Sequence, residues 1–126
     1  MHYANWNDVP NKWDSWPLKY FTPQEIACKG TGKLFVNIKA LSKLDHFRSV
    51  FNKPIKVSSA YRSPYHNAQV GGAPKSYHVK GEAFDIVLGG YDKSDIIKFA
   101  KLAGFTGLGV NYRTFVHVDI GRRRQW

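Results

Sequence analysis

The 126-residue chain has a single cysteine, Cys28, which excludes an internal disulfide and any zinc site built from several thiolates. Cys28 falls at the expected end of a short helix, where a small buried apolar role is commoner than a nucleophilic one. Acidic residues are scarce as well: nine Asp and Glu stand against nineteen Lys and Arg, for a net charge of +10. That balance draws a protein toward polyanions, whether nucleic acid, an anionic membrane or the acidic polymers of a bacterial envelope. The basic residues are dispersed apart from Arg122, Arg123 and Arg124. No recognition-helix or zinc-finger spacing accompanies them, so no specific nucleic-acid partner is expected. No apolar run nears the roughly 18 residues that span a bilayer, so no transmembrane segment is expected. The N-terminus lacks a basic segment followed by an apolar one, so the expectation is cytoplasmic synthesis without a secretory signal. Repeats, charge runs and Pro- or Ser/Gly-rich linkers are missing too, which argues against disorder and against a second domain.

What remains is a chain with 43% hydrophobic and 15% aromatic residues, enough for one packed core without a covalent staple. Residues 1–20 show no helical or strand period and read as an irregular arm carrying Trp6, Trp13 and Trp16. Those indoles pack on the surface or, in the sharper reading, stack on a ligand. Residues 21–126 read as the domain proper. Thr22-Pro23-Gln24-Glu25 is a capping box with proline at the first helical position. Asn37 caps a second helix with Ile38, Leu41, Leu44, Phe47 and Phe51 on its apolar stripe. Ile55 to Ala60 reads as a strand, and Ser63-Pro64 opens a short helix ending at Gly71-Gly72. Glu82 to Leu88 reads as a strand, and Asp92 caps a helix running to Gly104. Two strand-like pieces follow, Leu108 to Asn111 and Thr114 to Ile120. Helices precede most strands, so the expected class is α+β, a small and mainly antiparallel sheet flanked by helices.

Chemistry concentrates on His78, Asp85 and His117. Two imidazoles and a carboxylate make a three-ligand zinc set that leaves a fourth position for water. His78 falls on the loop entering the strand that carries Asp85, with Gly81 between them to permit a sharp turn. His117 comes from a neighbouring strand, where Asp119 shares its face.

The string Ser76-x-His78-x-x-Gly81-x-Ala83-x-Asp85, followed by His117, resembles the zinc D-alanyl-D-alanine carboxypeptidase family, which includes peptidoglycan endopeptidases. Phe21 to Glu25, Ser58 to Pro64, Val70 to Ala73 and Phe115 to Gly121 resemble its short single-domain branch, where phage endolysins occur. The resemblance covers residues 21–126. It implies a hedgehog-like zinc peptidase fold, Zn2+ held by His78, Asp85 and His117, and hydrolysis of an amide bond in peptidoglycan. An endopeptidase is favoured over a D,D-carboxypeptidase or a non-catalytic wall-binding module. The implied setting is the periplasm or cell wall after release at host lysis. A monomer in electrostatic contact with anionic wall polymers is expected. Arg62 is implied to hold a substrate carboxylate or carbonyl oxygen, against the alternative of a structural ion pair. Ser76 is implied to bond the substrate backbone, against a local turn bond. Many relatives place an acid three residues before the second histidine as general base; Thr114 stands there in this chain. Asp119 is the first substitute candidate and Glu82 the second, while Asp119 has the alternative of orienting a ligand imidazole. His66 is a more distant candidate for the cleft.

Overall fold

A computed structural model describes residues 1–10, 16 and 18–126. Helix α1 (Pro23–Ile26) is short, with Thr22 Oγ1 accepting from Glu25 N at 3.3 Å and Glu25 Oε1 accepting from Thr22 N at 2.9 Å. That reciprocal pair satisfies donors a helix start leaves open. Helix α2 (Ile38–Phe51) begins where Asn37 Oδ1 accepts from Ala40 N, and stops at Asn52, whose φ of +58° is left-handed. It buries Ala40, Leu41, Leu44, Phe47 and Phe51. Ile38, expected on that stripe, is 53% exposed. Repeated steps of three residues drift off a 3.6-residue period, and by the first turn the drift carries Ile38 off the buried face.

The main sheet has the order β3-β4-β6-β5-β7, from Val57–Ser59, Ala83–Val87, Phe115–Asp119, Gly107–Gly109 and Arg124–Gln125. All its pairings are antiparallel except β5 with β7. Ser63 caps the short helix α3 (Pro64–Gln69), and helix α4 (Lys93–Leu102) packs with α2 on one face of this sheet. Asp92 holds its N-cap position, but the Asp92 side chain makes no capping hydrogen bond, contrary to the sequence expectation. Phe84 and Ile86 of β4 and Val116 and Val118 of β6 enter the helix-side core, at 1% exposure or less. Because side chains alternate, Asp85, His117 and Asp119 turn to the opposite face.

The N-terminal arm is more regular than its composition suggested. Strand β1 (His2–Tyr3) pairs with β2 (Leu34–Phe35), and Trp6–Asp8 form a 3-10 turn with Asn5 as its cap. Backbone pairing, invisible to side-chain periodicity, orders so short a segment. Trp6 and Trp16 border a groove of about 440 Å³ with Thr22 and Pro23. Trp13 lies outside the described residues.

Candidate metal centre

Three elements deliver the cluster. Asp85 and His117 face one another directly across β4 and β6. His78 comes from the turn Ser76 to Glu82, closed by Val79 N to Ser76 O, Lys80 N to Tyr77 O and Glu82 N to Tyr77 O. Gly81 takes a φ of +68° there, and a Cβ on it would meet Phe35 Cδ1 at 2.6 Å, so a side chain is excluded twice over. The same turn is fastened to the segment between β3 and the next helix by Arg62 N donating to His78 O at 3.0 Å.

One donor atom each from His78, Asp85 and His117 lies within 4.8 Å of the others. His78 Nε2 and His117 Nδ1 both stand 3.2 Å from Asp85 Oδ1. The far nitrogens are engaged elsewhere: His78 Nδ1–H donates to Ala60 O at 2.8 Å, and His117 Nε2–H donates to Asp119 Oδ2 at 2.7 Å. A neutral imidazole has one N–H, so these bonds leave bare lone pairs on the two inner nitrogens. Lone pairs facing a carboxylate oxygen require a cation between them, either a proton on a ring or a metal ion. Two imidazoles and one carboxylate suit zinc with an open coordination position. The residues therefore fit the group.

Electrostatics follow from the same contacts. Burial pushes the Asp85 carboxyl up, but the His117 and His78 rings against it, which pair with it whenever they are protonated, outweigh burial and hold the group down at about 2. Burial opposes charge on His117, yet its bonds to Asp119 and Asp85 raise its pKa above the usual histidine value.

The cluster opens on a cleft of about 480 Å³ lined on the protein side by Arg62, Lys75 and Arg124 and by Tyr77, Tyr112, Phe115 and Trp126. Arg62 is brought there, half-buried, with its guanidinium bonded to Asn67 Oδ1 at 2.9 Å and Ser59 Oγ at 3.4 Å. Among the described residues no carboxylate pairs with Arg62. Ser76 also lines the cleft, where its Oγ accepts from His78 N at 3.2 Å, the local turn bond.

Neither substitute base reaches the cleft. Asp119 is 0% exposed and sits behind His117, on the side away from Asp85. Its Oδ1 accepts from Gly121 N and an Arg124 nitrogen, and its Oδ2 from His117 and the other Arg124 nitrogen. With its lone pairs so occupied its carboxyl is held at about 2: burial raises it, and the bonds from His117, Arg124 and the Gly121 amide more than reverse that. A carboxylate so placed is suited to orienting the His117 imidazole, and it is turned from the cleft where a base would act. Glu82 stands just before β4, at the end of the turn that carries His78, and is not part of the cleft lining. His66 is also outside that lining, packed against Gly30. Thr114 is exposed at the foot of β6. Asp85 is the one carboxylate on the cleft among the described residues.

Sequence reasoning missed Arg124 and Trp126. The triple arginine registered only as charge, although an arginine five residues after a buried aspartate was visible. Cys28, by contrast, is buried at 2% exposure beside Ser63 and plays no part in the cleft.

A family model described as Peptidase M15 matches residues 19–119. The peptidoglycan L,D-endopeptidase MepK of Escherichia coli (strain K12) is 40% identical over 80 residues, covering 59% of this chain and 44% of that protein. The zinc D-Ala-D-Ala carboxypeptidase of Streptomyces albus G is 37% identical over 128 residues, covering 98% of this chain and 47% of that protein. The chain thus spans about half the length of the curated relatives it matches.

Proposed function

This chain belongs to the peptidase M15 family, and from that premise we propose that it is a zinc-dependent peptidase cutting an amide bond in a peptidoglycan stem peptide or cross-bridge. The observation that carries the reading is the convergence of two imidazole lone pairs on the Asp85 carboxylate at 3.2 Å, an arrangement that calls for a cation. The names of the two relatives point the same way, one to peptidoglycan endopeptidase chemistry and the other to zinc and D-Ala-D-Ala.

His78, Asp85 and His117 would hold the zinc ion, with Ala60 O and Asp119 fixing the two rings from behind. Zinc bound there would supply Lewis-acid activation of water and of the scissile carbonyl. Arg62 presents a permanently charged fork to the cleft and would anchor a substrate carboxylate or carbonyl oxygen. The aromatic wall of Tyr112, Phe115 and Trp126 excludes water from one side and gives a peptide an apolar surface to lie on. The +10 charge would hold the protein, as a monomer, against anionic wall polymers. Action in the periplasm or wall, as a phage-type endolysin, is the setting this reading favours. Among the described residues no helix is long and apolar enough to cross a membrane.

A second reading, a zinc-stabilised wall-binding module, is favoured by one observation: the cleft holds no carboxylate beyond Asp85 among the described residues. Digestion of purified sacculi with the zinc-loaded protein, followed by mass spectrometry of the muropeptides, decides between them. The peptidase reading expects new termini with wild type and none with His78→Ala. Cleavage of internal bonds marks an endopeptidase, and loss of terminal D-alanine a carboxypeptidase. Wall binding with intact muropeptides would establish the module instead.

A further inference from the structure

We propose that Arg124 is a positioning residue of the metal centre, fixing through Asp119 which nitrogen His117 offers to the ion; the inference rests on the zinc reading above. Arg124 grips Asp119 with both terminal nitrogens, at 3.0 Å to Oδ1 and 2.8 Å to Oδ2. A bidentate fork fixes the plane of the carboxylate as well as its place. The Gly121 amide adds a third restraint at 2.9 Å to Oδ1. Asp119 Oδ2, so held, can only accept from His117 Nε2–H, and the ring must then present Nδ1 toward Asp85.

The surroundings are shaped for this grip. A Cβ on Gly107 would lie 2.0 Å from Asp119 Oδ1 and 2.3 Å from an Arg124 nitrogen, so the backbone leaves room for the pair and nothing else. Gly107 pairs with Asp119 and Gly109 with His117 across β5 and β6. The guanidinium is held between two aromatic faces, 4.9 Å from the Tyr77 ring centroid and 4.6 Å from that of Trp126. Trp126 in turn lies 5.2 Å from the His117 ring. Arg124 therefore ties the wall of the cleft to the ring that faces the metal. Lysine keeps the charge but cannot bind both carboxylate oxygens in one plane.

The test compares wild type, Arg124→Lys, Arg124→Met and, as control, Arg123→Ala, whose exposed side chain takes no part in the cluster. The first readout is the tautomer of His117 in metal-free protein, from ring-nitrogen NMR shifts recorded at a pH high enough to leave the ring neutral. The second is zinc affinity by competition with a chelator, with melting curves to verify folding. Wild type and Arg123→Ala should show His117 protonated at Nε2 alone. Arg124→Lys should show mixed tautomers and zinc affinity lower by about ten- to a hundredfold, the range for lost supporting partners of metal ligands. Arg124→Met should be weaker still. A folded Arg124→Lys with the wild-type tautomer and undiminished zinc affinity would overturn the inference while leaving the zinc reading intact. Failure of wild type to bind zinc would sink that reading, and the tautomer shifts would still decide whether Arg124 fixes the ring.

Discussion

The two faces of the central sheet are made by the same strands and obey opposite rules. On the helix side, Phe84, Ile86, Val116 and Val118 are packed against α2 and α4 with no polar atoms to satisfy. On the cleft side, the intervening Asp85, His117 and Asp119 form a chain of hydrogen bonds and ion pairs ending at Arg124. Among the described residues no buried side-chain polar atom lacks a partner, so the polar face is as completely paired as the apolar one is packed. The difference lies in tolerance. An apolar contact weakens by degrees when trimmed, whereas a buried charge stripped of its partner keeps its full desolvation cost.

Substitutions sort the two faces by size of effect. The largest belongs to the ligands: Asp85→Ala or His78→Ala should lower zinc-dependent hydrolysis by at least about a thousandfold, since several kcal/mol of Lewis-acid stabilisation disappear at about 1.4 kcal/mol per decade. Steady-state assays on muropeptides with saturating zinc check this. Next comes Asp119→Ala, which leaves Arg124 and His117 facing an empty socket and should cost about 3–5 kcal/mol in urea unfolding. Across the sheet, Ile86→Val should cost only about 0.5–1.5 kcal/mol and leave zinc affinity unchanged, although its neighbour Asp85 is a ligand. If Ile86→Val altered zinc affinity as much as stability, the two faces would not be separable. The smallest effect is expected for Ile38→Ser, within about 0.5 kcal/mol, because that side chain sits in water.

Much of this contrast was legible in the sequence. The alternation in Phe115-Val116-His117-Val118-Asp119 declares a strand with one apolar and one polar face, and the structure realises it residue by residue. The helix starts at Thr22 and Asn37 were readable because their capping chemistry is local. The family was readable too, from the Ser76 to Asp85 string and the later His117, and the Peptidase M15 match over residues 19–119 agrees. Other features depend on where the chain goes in three dimensions. Ile38 fits a three-and-four spacing yet faces solvent, because spacing leaves the phase of a helix against its sheet undetermined. Asp119 shares a face with His117 in any strand. Only the arrival of Arg124 on β7, parallel to β5, shows that its oxygens are already taken. The pairing of His2–Tyr3 with Leu34–Phe35 leaves no periodic trace in so short a segment.

Zinc-edge anomalous diffraction from zinc-soaked crystals addresses the cation site itself. The account predicts one strong peak bounded by His78 Nε2, the Asp85 carboxylate and His117 Nδ1, with its remaining face toward the cleft. A peak coordinated through His117 Nε2, a peak elsewhere, or none at full zinc occupancy of the solution would contradict it.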